Sequence, residues 1–394
     1  MHNQPYPVLA GAGGRASAPP AELWSEMTGL RHLEVCPDRA LLLSDGYRDR
    51  MRGLVRSLDQ ALQAVVRRYF ADERIRAIYA LPPELEHILR LAAFRPYQVG
   101  WYRPDLIFDR DGTARICEIG ARYPLNGWMV SRAWSSGHDG DYWHDLCALH
   151  PPGSTLALVH GQEPSGEVDC LSEHLQRSGV TFVALRPEEL SLRDGRLQAG
   201  GLSPDRLILQ LDRTELLSIA PDVLAHLVRQ GDYFNDVRTL ILVHDKRVLA
   251  VLSDPDIMRD AMPWAVYAGL RPHLIPSTCA TSAAEAEELL AEEGDWIAKP
   301  SSGGRGIGSL VRSRCDDAEW RQRVRQDWPH LMFQRYLDQL DYRDGDFAKP
   351  IHMVGMLLCR DDFCYGNGLF RGSDEAVINL HQQRGKLYGC EVAP

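Results

Sequence analysis

Residues 295–313 have the sequence Asp-Trp-Ile-Ala-Lys-Pro-Ser-Ser-Gly-Gly-Arg-Gly-Ile-Gly-Ser-Leu-Val-Arg-Ser. A short apolar run ends at Lys299, a glycine-rich loop follows, and a second apolar run begins at Leu310. A P-loop places its lysine after the glycines, and a dinucleotide fingerprint starts a helix directly after them. Neither matches here. The pattern favours two strands joined by a glycine-rich lid whose amides can approach phosphate groups, with an ordinary long hairpin turn as the alternative.

Lysine is rare in this chain, so each lysine is a candidate for a specific role. Lysine and arginine together number 44, yet the only lysines are Lys246, Lys299, Lys349 and Lys386. The lysine ammonium group is a compact charge on a flexible stem, and it suits the binding of phosphate oxygens. Lys299 beside the lid therefore predicts a nucleoside triphosphate site.

Bulk composition narrows the class of protein. The chain has 394 residues, 44% hydrophobic and 25% charged, which is typical of a soluble protein of two or three domains. A net charge of −10 argues against nucleic-acid or anionic-membrane partners. No apolar run is long enough for a membrane span, and the N-terminus lacks the pattern of a signal peptide. Nine cysteines without a Cys-x-x-Cys pair favour a reducing cytoplasm over a disulfide scaffold or a zinc site.

Periodicity divides the chain into six segments of an α/β (α+β) protein. They are a flexible arm at 1–20, a helical region at 21–94, a segment with a strand hairpin at 95–150, a small parallel-sheet α/β domain at 151–255, a lid subdomain at 256–330, and a final segment with strands at 331–394.

Within these segments, caps and hydrophobic patterns predict individual elements. Ser44-Asp45 is expected to cap a helix to about Phe70, with Leu54, Leu58, Leu62 and Val65 as its apolar stripe. Other helices are predicted at 83–93, 166–178, 214–230, after Ser282 and after Asp316. Strands are predicted at 105–109, 114–119, 155–160, 180–185, 206–210, 239–243, 331–337, 351–359 and 363–365.

Taken in order, the motifs from about 240 to 380 resemble an ATP-grasp ligase. His244-Asp-Lys246 resembles the first ATP lysine of that family, and Ile297-Ala-Lys299-Pro resembles the second. The lid that follows would contact ATP through Ser301, Ser302, Gly303, Gly304 and Gly306. Phe333-Gln334-Arg-Tyr336-Leu337 resembles the strand that meets adenine, which implies Gln334, Tyr336 and Leu337 as nucleotide contacts. Gly368-Leu-Phe-Arg371 and Val377-Ile-Asn379 resemble the late segment that carries a phosphate-contacting, catalytic arginine, here Arg371.

The metal-binding hairpin of that family lies near the N-terminus in this chain. Tyr102-Arg103-Pro-Asp105 and Ile116-Cys-Glu118-Ile-Gly120-Ala-Arg122 resemble circularly permuted ATP-grasp enzymes such as the synthetase domain of glutathionylspermidine synthase. The resemblance implies that Asp105 and Glu118 bind Mg²⁺, that Arg103 acts near the transferred phosphate, and that Arg103 and Arg122 hold a substrate carboxylate. Residues 95–150 and 331–394 would then be parts of one ATP-grasp core.

One position departs from the family pattern. The family has Glu-x-Asn where this chain has Glu118-Ile-Gly120, and glycine has no side chain to bind a metal. Water or another oxygen could fill the place, and Asn126 and Asn379 are candidates.

The expected function is an ATP- and Mg²⁺-dependent ligase that joins a carboxylate to an amine through an acyl phosphate and releases ADP and phosphate. The expected partners are the two small substrates, with a homodimer as a common state of the fold. The alternatives are a non-catalytic nucleotide-binding protein and a small-molecule kinase.

Overall fold

The computed structural model describes residues 7–11, 34–122, 142–148, 150–161, 167–304, 306–378 and 385–392, and it is a mixed α/β structure with several sheets. The strands are β1 Val8–Gly11, β2 Glu34–Leu43, β3 Trp101–Phe108, β4 Ala114–Gly120, β5 Thr155–His160, β6 Thr181–Leu185, β7 Ser191–Arg193, β8 Arg196–Gln198, β9 Arg206–Gln210, β10 Tyr233–Phe234, β11 Ser277–Thr278, β12 Trp296–Pro300, β13 Leu310–Val311, β14 Leu331–Arg335, β15 His352–Arg360, β16 Phe363–Ser373 and β17 Lys386–Val392. The helices are α1 Tyr47–Arg68, α2 Glu73–Tyr79, α3 Pro83–Ala92, α4 Tyr142–Ala148, α5 Glu167–Arg177, α6 Arg213–Leu216, α7 Pro221–Gln230, α8 Val248–Ser253, α9 Pro255–Ala261, α10 Trp264–Leu270, α11 Ala283–Ala291 and α12 Asp317–Asp327.

The largest sheet has seven strands in the order β1-β2-β17-β16-β15-β3-β4. Its neighbours are antiparallel except for β17 and β2, which are parallel. Helix α1 contributes its predicted stripe to the main core, with Leu54 2% exposed and Leu58, Leu62 and Val65 fully buried. The predicted hairpin forms as β3 and β4, joined by a turn in which Gly112 has a φ of 76°.

The N-terminal part of this sheet corrects three predictions. The arm predicted at 1–20 contains strand β1, and the helical region predicted at 21–94 contains strand β2. The two strands pair with each other, so their backbone hydrogen bonds outweigh a weak local pattern. Helix α1 is capped by Gly46, with a φ of 72° and no side-chain cap, and not by Ser44-Asp45.

The second sheet has four parallel strands in the order β10-β9-β5-β6. It confirms the predicted strands at 155–160, 180–185 and 206–210, and helix α5 confirms the prediction at 166–178. The helix predicted at 214–230 is two helices, α6 and α7. Pro221 begins the second, because proline lacks the N–H that a continuous helix would need there.

The strand predicted at 239–243 is wrong. Thr239–Val243 forms a π-helical turn in which the His244 N–H donates to the Thr239 carbonyl at 3.0 Å. All five residues are buried. A short, fully apolar run reads the same in a buried strand and in a buried helix, so periodicity could not separate them.

The third sheet carries the glycine-rich loop and has the order β11-β14-β12-β13. Strands β12 and β13 pair antiparallel, which confirms the predicted pair of strands around the loop. Ser282 and Asp316 cap helices α11 and α12 as predicted, each accepting a backbone N–H with its side chain. This unit, the lid subdomain, has its own small core around Trp296, Trp320 and Phe333.

Two features at the C-terminal side were not predicted. Strand β16 extends to Ser373, well beyond the predicted 363–365, and strand β17 is new. Among the described residues, no helix is both long enough and apolar enough to cross a membrane.

Candidate active site

The hairpin β3–β4 brings two acids together. Asp105 and Glu118 are direct cross-strand partners, next to a register shift between Asp105 and Leu106. Arg371 on β16 reaches across β15, and its Nη2 forms an ion pair with Asp105 Oδ2. Residues far apart in sequence therefore share one cluster, because β15 lies between β3 and β16 in the sheet.

Lys246 joins this cluster from the segment after the π-helical turn. Its Nζ lies 3.3 Å from Glu118 Oε1 and donates to the Gly303 carbonyl at 2.6 Å. Its backbone N–H donates to the Ser301 carbonyl at 3.0 Å. Lys246 thus connects Glu118 to the glycine-rich loop. In that loop Gly303 has a φ of 87°, a backbone conformation that favours glycine.

Lys299 bridges the lid and the hairpin. Its Nζ donates to the Cys117 carbonyl and to Gln334 Oε1, both at 2.8 Å. Gln334 Nε2 in turn donates to Ser277 Oγ at 3.0 Å. The side-chain amide predicted to meet adenine is therefore engaged with Lys299 and Ser277, where it orients the lysine next to Glu118.

The cations of the cluster and burial together shift the pKa values of its acids and of Lys299. Burial raises the pKa of Glu118, but Lys246, Lys299 and Arg371 outweigh it and hold that pKa below its usual value. Burial raises the pKa of Asp105, although the Arg371 guanidinium opposes the shift. Burial also lowers the pKa of Lys299. Glu118 is thus ionised at neutral pH and able to bind a cation.

The glycine at position 120 leaves room for the side chain of Arg103 on the neighbouring strand. It pairs with Arg103 across the hairpin, and a Cβ at this position would lie 3.3 Å from Arg103 Nη2. Arg103 itself is buried. The missing side chain therefore leaves space beside a guanidinium group. The two asparagines considered as substitutes, Asn126 and Asn379, lie outside the described residues.

Arg122 was predicted as a substrate-binding residue, whereas Asp212 and Arg213 near it were not. Arg122 Nη1 pairs with Asp212 Oδ2 at 2.9 Å, and Arg213 pairs with Asp245, which also accepts from Arg247. His244 is buried and accepts from the Ala121 N–H at 3.3 Å; burial and nearby cations lower its pKa well below the usual histidine value. Asp212 and Arg213 follow strand β9 directly, and that position at the end of a parallel strand was the available signal.

Two of the predicted nucleoside contacts, Tyr336 and Leu337, follow strand β14. The Tyr336 ring is 6.4 Å from the His352 ring. Leu337 lines a cavity of about 630 Å³ together with Asp109, Arg115, Ser253, Leu274 and Pro276. Of the predicted site residues, only Leu337 lines this space, called the hinge cavity here. The lysines and acids cluster separately from it.

The donor set fits a magnesium ion held jointly with phosphates. Asp105 and Glu118 provide hard oxygen ligands, and Mg²⁺ in nucleotide sites is commonly bound by one or two carboxylates plus phosphate oxygens. Within the described parts of the chain, no group of three or more His, Cys, Asp or Glu side chains could hold a metal by itself.

Comparison with known proteins gives distant likenesses. A family model described as the AnkG N-terminal domain matches residues 54–242, a span that ends before Lys246. No curated protein sequence is significantly similar. A solved structure from Methylobacillus flagellatus KT, provisionally named gamma-glutamylcysteine synthetase, is 13% identical over 83% of this chain and 86% of its own, with a TM-score of 0.44. D-alanyl-alanine synthetase A from Vibrio cholerae O1 biovar eltor is 12% identical over 51% of this chain and 67% of its own, with a TM-score of 0.29. Both TM-scores are too low to establish a shared fold, so function is inferred from the contacts of the cluster.

Proposed function

We propose that the protein is an ATP- and Mg²⁺-dependent ligase of the circularly permuted ATP-grasp type, which joins a carboxylate to an amine through an acyl phosphate. The observation that carries the proposal is the convergence of Lys246, Lys299, Glu118, Asp105 and Arg371 in one cluster. Two of the four lysines of the chain lie there, beside two acids and a glycine-rich loop.

Each group has a role that its chemistry supports. Lys246 and Lys299 bind the α- and β-phosphates, and Asp105 and Glu118 hold Mg²⁺. The metal, when bound, neutralises charge on the β- and γ-phosphates. Arg371 and Arg103 stay protonated and stabilise the transferred phosphoryl group. Phosphoryl transfer depends mainly on such positioning and charge neutralisation.

The ion pairs of the cluster explain how it accepts nucleotide. Glu118 is paired with Lys246, and Asp105 with Arg371. A magnesium ion would replace the cations at the two carboxylates, while phosphate oxygens would replace the carboxylates at Lys246 and Arg371. The exchange keeps charges paired throughout, so nucleotide and metal are expected to bind cooperatively.

The lid and the hinge cavity complete the proposed site. The glycine-rich loop, with Ser301, Ser302, Gly303, Gly304 and Gly306, covers the phosphates and excludes water, which would hydrolyse an acyl phosphate. We place the nucleoside beside Gln334, Tyr336 and Leu337, of which Leu337 lines the hinge cavity. A volume of about 630 Å³ lies within the usual range of small-molecule sites. The partners of the reaction are small molecules, and we place the enzyme in the cytoplasm, with a homodimer as its expected state.

The test is ADP release measured against paired acids and amines, with amino acids, dipeptides and polyamines in the panel. The ligase predicts ADP and phosphate only when both an acid and an amine are present. Nucleotide binding without turnover for any pair would favour the non-catalytic alternative, which Gly120 motivates. A stable phosphorylated acid formed without an amine would favour a kinase.

A further inference from the structure

The strand order of the parallel sheet reverses at β5, and the space outside the strand ends at this point is called the crevice here. From β5 the chain crosses to β6 on one side, whereas β9 lies on the other side of β5. Ligands of open parallel sheets bind at the carboxyl ends of the strands that flank such a point. Here those ends carry His160, Gly161 and Gln210, with the Gly161 N–H donating to the Gln210 carbonyl at 3.2 Å.

Two arginines from different parts of the chain border this crevice. Arg213 follows β9, and Arg122 follows β4 of the seven-stranded sheet and pairs with Asp212. Asp212 is held in place, because its N–H donates to Glu215 Oε2 at 2.7 Å and its Oδ1 accepts from the Thr214 N–H at 2.9 Å. Because Asp212 is held in this way, its ion pair with Arg122 fixes the position of the Arg122 guanidinium.

The crevice is continuous with the phosphate cluster. Arg213 Nη2 donates to Ser301 Oγ at 3.2 Å, and a Cβ at Gly304 would lie 3.5 Å from Arg122 Nη2. Between these contacts lies the Gly303 carbonyl, which accepts from Lys246 Nζ at 2.6 Å. Lys246 in turn contacts Glu118. A chain of short contacts thus leads from the two arginines to Glu118.

Charge at the crevice favours an anion. Asp245 accepts from Arg247 through both Nε at 3.0 Å and Nη2 at 2.6 Å, and this pair is buried. The charge of Asp245 is therefore already matched by Arg247, while Asp212 is matched by Arg122. Arg213 also pairs with Asp245, and the Glu215 carboxylate lies against Gly161. Arg186, whose Nη1 donates to the Gly161 carbonyl, brings the arginines to four against these three acids, and each guanidinium has five N–H donors with which to bind a carboxylate.

We propose that this crevice binds a second carboxylate of the acid substrate, so that the enzyme acts on di- or tricarboxylic acids. Arg122 and Arg213 hold the distal carboxylate, and the other carboxylate lies at the Glu118 and Arg371 cluster. This assignment of substrate class rests on the proposed ligase function. It adds Arg213 and the crevice to the site, and it makes the two arginines determinants of specificity.

The test compares acids that differ by one charge. The full-length protein with Mg²⁺ and AMP-PNP is titrated calorimetrically with tricarballylate, glutarate and the glutarate monoamide. At least one of the two polycarboxylates is expected to bind about tenfold or more tighter than the monoamide, in line with the loss of one charge-assisted pair. Equal or tighter binding of the monoamide, or no binding of either polycarboxylate while AMP-PNP binds, would overturn the proposal.

Variants then locate the recognition. Arg122→Gln and Arg213→Gln are expected to abolish the preference for the polycarboxylate and to leave the AMP-PNP affinity within a few-fold, whereas Arg193→Gln, on the exposed hairpin β7–β8, is the matched control. Weaker AMP-PNP binding with an unchanged acid preference would show that the arginines serve the nucleotide, and would refute the proposal. If AMP-PNP does not bind even the unaltered protein, the ligase function fails, and the acid titrations without nucleotide still decide whether the crevice recognises a second carboxylate.

Discussion

Two carboxylates of this chain, Asp59 and Glu118, experience opposite environments. Asp59 lies inside helix α1, 4% exposed, and its side-chain partner is the Gln63 amide at 2.8 Å. Burial raises its pKa to about 6. The Glu118 side chain is 25% exposed, and three cations hold its pKa below the usual value despite burial. Burial alone makes an acid easier to protonate, so the ionised state of Glu118 reflects the cations that the fold gathers around it.

The difference is the one expected between a structural acid and the proposed metal-binding acid. At Asp59 the charge costs stability, and the described structure provides no cation in contact with it. At Glu118 the same cost is offset by Lys246, Lys299 and Arg371. In the proposed site a metal replaces these cations at the carboxylate, and nucleotide phosphates replace the carboxylate at the cations. The following experiments test whether this distinction holds.

The largest effect is expected from Glu118→Gln. The amide keeps the shape but removes a metal-binding charge, so turnover should fall by at least about 100-fold. Nucleotide contacts at Lys299 and Leu337 remain, so AMP-PNP should still bind. Glu84→Gln, on the surface of helix α3, is the control. Turnover unchanged by Glu118→Gln would refute the role of Glu118.

The next effect compares two equally buried lysines. Lys299 is 8% exposed and Lys386 is 7% exposed, where it pairs with Asp346. Lys299→Met should weaken AMP-PNP binding by roughly 10- to 100-fold, because a charge-assisted hydrogen bond of about 1.5–3 kcal/mol is lost. Lys386→Met should lower stability without changing nucleotide affinity. Calorimetric titration checks both, and equal losses of affinity would contradict the assignment.

Asp59→Asn should stabilise the protein at neutral and alkaline pH. A pKa raised from 3.8 to about 6 in the folded state means that the contribution of Asp59 to stability is present below pH 4 and is lost as pH rises through about 6. Removing the charge should therefore raise the free energy of unfolding at pH 8 by roughly 3 kcal/mol.

Urea unfolding at pH 4 and pH 8 tests this. The gain from Asp59→Asn should be present at pH 8 and small at pH 4. Asp49→Asn, on the exposed face of the same helix, should show no such difference. A gain that is equal at both pH values would mean that charge is not its cause.

The smallest effect is the pH dependence of nucleotide binding. Because burial lowers the pKa of Lys299, the ammonium charge is lost at a pH below the ordinary lysine value of 10.5. AMP-PNP affinity should thus decline by a few-fold as pH rises from 8 towards 10. Lys299→Arg should flatten this decline, since the guanidinium stays protonated. A profile that is identical in both proteins would assign the decline to another group.

The sequence predicted which residues cluster better than it predicted the sheets that hold them. The rarity of lysine and the glycine-rich loop pointed to Lys246 and Lys299, and the structure places both beside Glu118. Hairpin β3–β4 was predictable because its turn contains Asp111-Gly112. These signals are local, so a single sequence contains them.

The features that were missed depend on contacts between distant segments. Strands β1 and β17 are stabilised by pairing with β2, and no local pattern marks them. The π-helical turn before His244 is buried on every side, which removes the periodicity that would identify it. Arg122 and Asp212 come from different sheets, so their pairing appears only after both sheets are placed.

The proposed acyl phosphate is tested most directly by following oxygen. An acid identified in the ADP-release screen is labelled with ¹⁸O in its carboxylate, and the released phosphate is analysed by mass spectrometry after amide formation. An acyl phosphate passes one carboxylate oxygen to phosphate, so ADP together with phosphate carrying one ¹⁸O atom is the predicted result. Unlabelled phosphate, or AMP and pyrophosphate as products, would contradict the account.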